Sequence, residues 1–386
     1  MKKGKIISLT LIGLLIIFLL LPGIVDRMRN QLTGAPLPTL SEKAIKLHKD
    51  LFVADLHGDF LLWNRDLLKS YSYGHTDLPR LQKGNASLQV FSSVTKAPAG
   101  LNYHANSDKS DMITLLTVIQ RQPIKTWTSL FERSMYHAQK MHGFVSRSSG
   151  ELMLIKSKAD LKLFLEHKKS NKKIVGAVLS IEGAHALEGK AENIAKLYNA
   201  GFRMFGLAHF FDNEVGGSAH GMEKGGLTKF GNYLINEMNK KNIIIDLAHS
   251  SPKVIEEVLS ITSSPVVVSH TGVKGTCDRQ RNLSDAQIKK IAEGGGIIGI
   301  GFWDEAICGD DITHVVKAIK YVVDLVGADY VALGSDFDGT VKTVIDVSGF
   351  PYLTQELLNQ GITPEDIKKI MGGNVLRFFL ANLPAS

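Results

Sequence analysis

Phe52-Val-Ala-Asp-Leu-His-Gly-Asp59 is a short apolar run that ends in polar side chains able to hold a metal. Residues two apart on an extended strand share a face, so His57 and Asp59 point together, with Asp55 on the same side. An imidazole and a carboxylate converging at a strand end suit zinc or another first-row divalent ion. The same pattern also describes a strand that simply runs into a polar loop, so it gains meaning only from what the chain places beside it.

Similar residues recur after later apolar runs. Glu182 follows residues 175–181, His209 follows 204–208, and Asp246 and His249 close 243–247. His270 follows 265–269, and Asp336 and Asp338 follow 330–334. A lone histidine after a strand is usually structural, but four histidines and several carboxylates at the ends of successive strands form a set. They suffice for two metals with a carboxylate between them, an arrangement that acidifies a shared water until hydroxide exists near neutral pH. His48, His137, His142, His167 and His314 fall in predicted helices or in an insertion and read as surface. His220, in Gly216-Gly-Ser-Ala-His-Gly221, is placed to line a pocket.

Other chemistries are disfavoured. No Gly-x-Ser-x-Gly elbow occurs, and neither cysteine has a histidine partner in its sequence context. Gly294-Gly-Gly-Ile-Ile-Gly299 has dinucleotide-loop spacing but precedes its strand. Asp336-Phe-Asp-Gly339 is a calcium-loop fragment without the remaining ligands.

These residues need elements that bring them to one place. From residue 41 the chain alternates amphipathic helix, β-branched run and polar loop. Eight strands are expected at 52–56, 86–94, 175–181, 204–208, 243–247, 265–269, 297–302 and 330–334. They are rich in Val and Ile with little alternation, as in a parallel sheet covered on both faces. Eight such units predict a (β/α)8 TIM-like barrel over residues 41–386, with a mostly helical insertion at about 95–173 after strand two; a doubly wound open sheet is the competing fold. Thr39 with Glu42 reads as a capping box, and Ser251-Pro252 and Thr363-Pro364 as helix starts.

The first thirty residues differ in kind. Lys2, Lys3 and Lys5 precede residues 6–25, which carry no charge and are long enough to span a bilayer. No small-x-small cleavage site follows closely, so an uncleaved signal anchor is expected, with residues 31–40 as a linker and the remainder extracytoplasmic. Most of the formal net charge of +7 lies in this N-terminal stretch. No basic stripe with interleaved aromatics is present, and nucleic acid is excluded as a partner. Cys277 and Cys308 are a disulfide in an oxidising compartment or two buried thiols in a reducing one; the anchor favours the bridge.

Five ordered motifs together resemble the renal or membrane dipeptidases, the M19 metallopeptidases: Ala54-Asp-Leu-His-Gly-Asp59, Ser180-Ile-Glu-Gly-Ala-His185, Ile245-Asp-Leu-Ala-His-Ser250, Val268-Ser-His270 with Arg279-Gln-Arg-Asn282, and Gly334-Ser-Asp-Phe-Asp-Gly339. The resemblance implies two Zn2+ ions, with His57 and Asp59 on one, His249 and His270 on the other, and Glu182 bridging. It gives His209 to the substrate and the oxyanion, Arg281 to the substrate carboxylate, and Asp336 to the proton for the leaving amine. It also supports the Cys277–Cys308 disulfide, extends the substrates to dipeptides with a C-terminal D-residue, and leaves a homodimer open. Two positions depart from the family pattern. Gly58 stands where Asn is usual, and Phe60-Leu61 stands where Leu-Pro is expected, as in a divergent bacterial-type branch.

The expected protein is therefore a membrane-anchored zinc dipeptidase. The rivals are a related binuclear amidohydrolase acting on another small amide, N-acyl amino acid or lactam, and a non-enzymatic membrane scaffold, whose mark would be a broken ligand set.

Overall fold

The computed structural model describes residues 18–386. Eight parallel strands form a closed ring: β1 (Val53–Asp55), β2 (Ala86–Val94), β3 (Val175–Glu182), β4 (Phe202–Gly206), β5 (Ile244–Asp246), β6 (Val267–Thr271), β7 (Ile297–Ile300) and β8 (Val331–Leu333). Closure comes from Leu333 of β8 pairing with Asp55 of β1. This is the expected eight-stranded barrel rather than an open sheet.

Alternation along the strands explains why both faces are apolar. Ala54, Leu88, Val90, Val178, Met204, Ile244, Val267, Ile297 and Ala332 form one buried cluster. It also contains Phe164 and, from the helix Asn374–Asn382, Val375, Phe378 and Phe379. Their neighbours Val53, Phe91, Leu179, Phe205, Ile245, Val268, Ile298 and Val331 belong to the larger cluster shared with the other helices. One cluster thus fills the barrel and the other surrounds it, leaving polar side chains to the loops that follow the strands.

Between β2 and β3 lie α4 (Met112–Ile119), α5 (Leu130–Arg147) and α6 (Lys158–Ser170), preceded in the chain by α1 (residues 18–29), α2 (Glu42–Asp50) and α3 (Leu78–Lys83). The inserted segment also holds a strand absent from the sequence expectation: Leu152–Leu154 pairs with Val175–Ala177 at the start of β3. Three residues are too few to show a strand period. Arg133 of α5 fastens the insertion down, donating to the carbonyl of Thr126 at 2.6 Å and meeting Asp111 Oδ2 at 2.6 Å.

Several local expectations change. The cap of α2 is Ser41, whose hydroxyl accepts from Ala44 N, and not Thr39. Ser251 and Thr363 do cap their helices. Among the described residues no helix is long and apolar enough to cross a membrane. Residues 6–17 of the expected anchor lie outside the described residues; 18–29 form α1. The start of the expected linker is held, since Gln31–Leu32 pairs in parallel with Lys342–Thr343. Cys277 and Cys308 are joined by a disulfide.

His48 and His137, expected at the surface, are buried. His48 reaches Thr354 Oγ1 at 2.8 Å and the Gly84 carbonyl at 3.0 Å. His137 Nδ1 lies 2.8 Å from Ser93 Oγ. Helical spacing shows that a face exists but not that a second element covers it.

Burial, then the nearby cations Lys140 and Arg133, push His137 down to about 3 from 6.5. The unfolded chain binds this proton near 6.5 and the folded chain does not, so stability is complete above that pH and is lost as the pH falls toward 3. Thermal midpoints of His137→Gln measured from pH 7 to pH 4 are expected to fall less steeply than those of the wild type.

Candidate metal and active site

Each candidate residue sits where a strand hands over to a loop. Asp55 ends β1, and the chain carries on to His57 and Asp59, where Asp59 N donates to the Phe337 carbonyl at 2.7 Å. Glu182 ends β3 and is followed by Gly183 at φ +91°. His209 lies three residues beyond β4, His249 three beyond β5, and His270 inside β6. His249 and Asp336 adopt left-handed backbone, at φ +61° and +62°, a conformation that side-chain-bearing residues pay for and that re-aims them out of the strand direction.

The structure brings these residues together around one carboxylate. Glu182 Oε2 lies 3.4 Å from His57 Nε2. Glu182 Oε1 lies 3.0 Å from His249 Nε2, 3.2 Å from His270 Nε2 and 3.6 Å from His209 Nε2. His57 Nε2 is also 3.6 Å from Asp59 Oδ1 and 3.9 Å from Asp336 Oδ1. Three overlapping groups could hold a cation: His57, Glu182 and His270; Glu182, His209 and His249; and His57, Asp59 and Asp336.

A cation fits this arrangement on chemical grounds. His57 Nε2, Asp59 Oδ1 and Glu182 Oε2 are buried without a hydrogen-bond partner, and each such atom costs roughly 1–3 kcal/mol if left so. His249 Nε2 and His270 Nε2 stand 3.0 Å apart. Two imidazole nitrogens at that distance repel unless a proton or a metal lies between them. Nitrogen and carboxylate donors at these separations suit zinc and its first-row neighbours.

Second partners aim the rings. Ser269 Oγ lies 2.9 Å from His270 Nδ1 and 3.4 Å from His57 Nδ1. His209 Nδ1 donates to the Lys96 carbonyl at 3.0 Å, turning Nε2 toward Glu182. Burial by itself would raise Glu182, but the His209 and His57 imidazoles, with hydrogen bonds from His249 and His270, hold it well below the usual range. Asp336 goes the other way: burial and then the Asp59 carboxylate push it well above that range.

Arg281 borders the cluster. Its Nη2 donates to the His270 carbonyl at 2.8 Å and approaches His249 Nε2 at 3.2 Å, its guanidinium lies 4.7 Å from the Trp303 ring, and its Nε has no partner. A cavity of about 270 Å³ opens beside it, lined in part by Tyr103, Arg279, Trp303 and Glu305. Tyr103 and Trp303 had no signal in the sequence, because neither follows a strand with a polar motif around it. His220, expected to line a pocket, is instead fully buried behind the site, stacked on Phe210 at 4.5 Å and 5.3 Å from the His249 ring.

Two aspartates expected beside the site serve the barrel instead. Asp55 accepts from Ser335 N at 2.8 Å and from Gln89 Nε2 at 2.8 Å. Asp246 accepts from Ala248 N at 3.0 Å and Ser269 N at 2.9 Å. Gln89 also crowds Gly58: a Cβ there would stand 3.2 Å from Gln89 Nε2 and 3.3 Å from the Phe337 carbonyl, a tight fit that needs its neighbours to shift by a few tenths of an ångström.

The loop after β8 is held from behind. Arg65 links Asp338 Oδ1 and Asp26 Oδ2, each at 2.6 Å. Asp338 Oδ1 also accepts from His75 N at 2.7 Å, and its carbonyl accepts from Trp63 Nε1 at 2.7 Å. Asn30 Oδ1 accepts from Thr340 N at 3.0 Å.

With this geometry in place, the model of the membrane dipeptidase family, peptidase family M19, matches residues 41–382. The chain belongs to that family. It is a metallo-dipeptidase, and its curated relatives agree. Dipeptidase aclJ of Aspergillus oryzae is 29% identical over 96% of this chain and 86% of its own. Dipeptidase verJ of Clonostachys rogersoniana is 29% identical over 87% and 85%. Solved structures share the dipeptidase's fold. The probable dipeptidase PvdM from Pseudomonas aeruginosa aligns with a TM-score of 0.72 at 20% identity, covering 89% of this chain and 98% of its own. A metallo peptidase from Rhodobacter sphaeroides, liganded with a phosphinate mimic of the dipeptide L-Ala-D-Ala, aligns at 0.70 and 23% identity over 86% and 99%.

Because four imidazoles converge on Glu182, Glu182→Gln is expected to lose bound metal and turnover together, with turnover down more than about 100-fold. Elemental analysis beside a dipeptide assay checks this, and a fully active, metal-loaded variant contradicts it.

Proposed function

We propose that this metallo-dipeptidase holds two zinc ions, one among His57, Asp59 and Glu182 and the other among Glu182, His249 and His270. The observation that carries the reading is the Glu182 carboxylate, one oxygen of which faces His57 while the other faces His249 and His270. Bound there, the ions supply Lewis acidity toward the scissile carbonyl and a water acidified to the neutral range.

The chain's own residues do the rest. Arg281 receives the C-terminal carboxylate of the dipeptide in a charge-assisted pair, its plane set by Trp303. His209, aimed by the Lys96 carbonyl, steadies the negative charge that develops on the carbonyl oxygen. Asp336, 3.9 Å from His57 and pushed up by burial and by the Asp59 carboxylate, is the carboxyl placed to give the departing amine its proton. Selection for two residues follows if both substrate termini must be neutralised at once, because a longer peptide leaves one of those charged contacts unmade.

The proposed substrates include dipeptides with a C-terminal D-residue, a class suggested by the ligand of the Rhodobacter sphaeroides relative. The uncharged residues 6–17, which lead into the docked helix α1, are proposed to hold the chain at a membrane, with the barrel outside the cytoplasm; the disulfide between Cys277 and Cys308 supports an oxidising compartment. Association as a homodimer belongs to the same proposal.

The test is kinetic. The zinc-loaded chain is expected to hydrolyse dipeptides and to leave tripeptides and N-acetyl amino acids intact; preference for N-acyl amino acids would transfer the site to another amide. Arg281→Ala is expected to raise KM about 10- to 100-fold, the loss of one charge-assisted pair, with a smaller change in kcat. An unchanged KM removes the clamp.

A further inference from the structure

Exposed apolar residues scattered singly are ordinary, whereas a contiguous group calls for a partner. On α1, Leu20, Ile24 and Met28 recur every four residues and are 57%, 49% and 67% exposed. On α4, Leu115 and Val118 are 52% and 37% exposed, and Ile124 just beyond is 73% exposed. The two helices are neighbours. Gln120 Nε2 donates to the Pro22 carbonyl at 3.3 Å, Arg121 Nη2 to the Leu19 carbonyl at 3.5 Å, and Val25 and Leu116 pack on the same small cluster around Trp63.

α1 is also fastened to the barrel mouth. Asp26, 1% exposed, pairs with Arg65, which in turn holds Asp338 in the loop that carries Asp336. A helix that ends in a buried ion pair and a two-residue strand cannot swing like a tether. Its start, by contrast, continues directly from residues 6–17, which carry no charge. Whatever receives that run reaches the first turn of α1 and the α4 face beside it. Arg27 and Arg29 on α1 and Arg121 just past the end of α4 are exposed and suit lipid phosphates.

We propose that the apolar surface shared by α1, α4 and Ile124 lies in the interface of a lipid bilayer, fixing the barrel with its active-site rim on the membrane side. This rests on the N-terminal anchor proposed above and goes further, since an anchor alone leaves the orientation free.

The test uses the full chain in phosphatidylethanolamine–phosphatidylglycerol vesicles, with an environment-sensitive fluorophore on Leu115→Cys, Ile124→Cys or, as control, Ile261→Cys, which is 46% exposed on another helix. The native cysteines are bonded to each other, so the introduced thiol is the free one. Retained dipeptide turnover shows that each variant folds. Labels at 115 and 124 are expected to shift to the blue and to be quenched about two-fold or more by spin-labelled lipid chains, while that at 261 is not. Vesicle-bound chain in which all three labels behave alike overturns the surface and leaves the anchor standing. A blue shift insensitive to lipid quenchers, with cross-linking between copies, overturns it in favour of a second copy. Chain that fails to float with the vesicles removes the anchor and the surface together.

Discussion

A carboxylate taken out of water among four imidazoles is the constraint on which the rest of the molecule depends. Glu182 is 5% exposed, and His57, His209, His249 and His270 all reach it within 3.6 Å. Such a group is tolerable in a protein interior only when it is paired on every side or ligates a cation. The five side chains come from positions up to 213 residues apart, so the chain must close a barrel before any of them is satisfied.

The barrel meets that demand by separating its ends. Apolar side chains from alternate strand positions, together with the helix Asn374–Asn382, fill one part of the interior. Polar side chains gather where the strands end, and further groups support them. Asp55 and Asp246 are the clearest case: each is a buried carboxylate that accepts backbone N–H groups from a neighbouring strand segment, stiffening the floor beneath the histidine–carboxylate cluster. The positive φ angles at His249, Asp336 and Asp338 show that the loops are bent against local preference to complete the cluster.

Parts of the chain outside the barrel proper also shape the site. The segment after β2 supplies the Lys96 carbonyl that orients His209 and the Tyr103 ring that borders the cavity near Arg281. The residues before α2 supply Asp26 and Asn30, which hold the loop of Asp336 and Asp338 through Arg65 and Thr340. The N-terminal segment is thus continuous with the catalytic rim through hydrogen bonds and ion pairs.

The sequence alone determined the eight barrel strands, the parallel class and the residues at strand ends, because strand period, Val and Ile enrichment and turn chemistry are local properties. His57, Asp59, Glu182, His209, His249, His270 and Asp336 could be picked out in this way, whereas Arg281 was pointed to only by the resemblance to a family. What lay beyond it were facts of proximity. That His48 and His137 are buried, that Gln89 fills the space beside Gly58, that Asp55 and Asp246 face the barrel and that Asp26 reaches Arg65 each depend on an element distant in the chain. Burial and partnership are set when helices dock and the ring of strands closes, and no window of residues carries that information in advance.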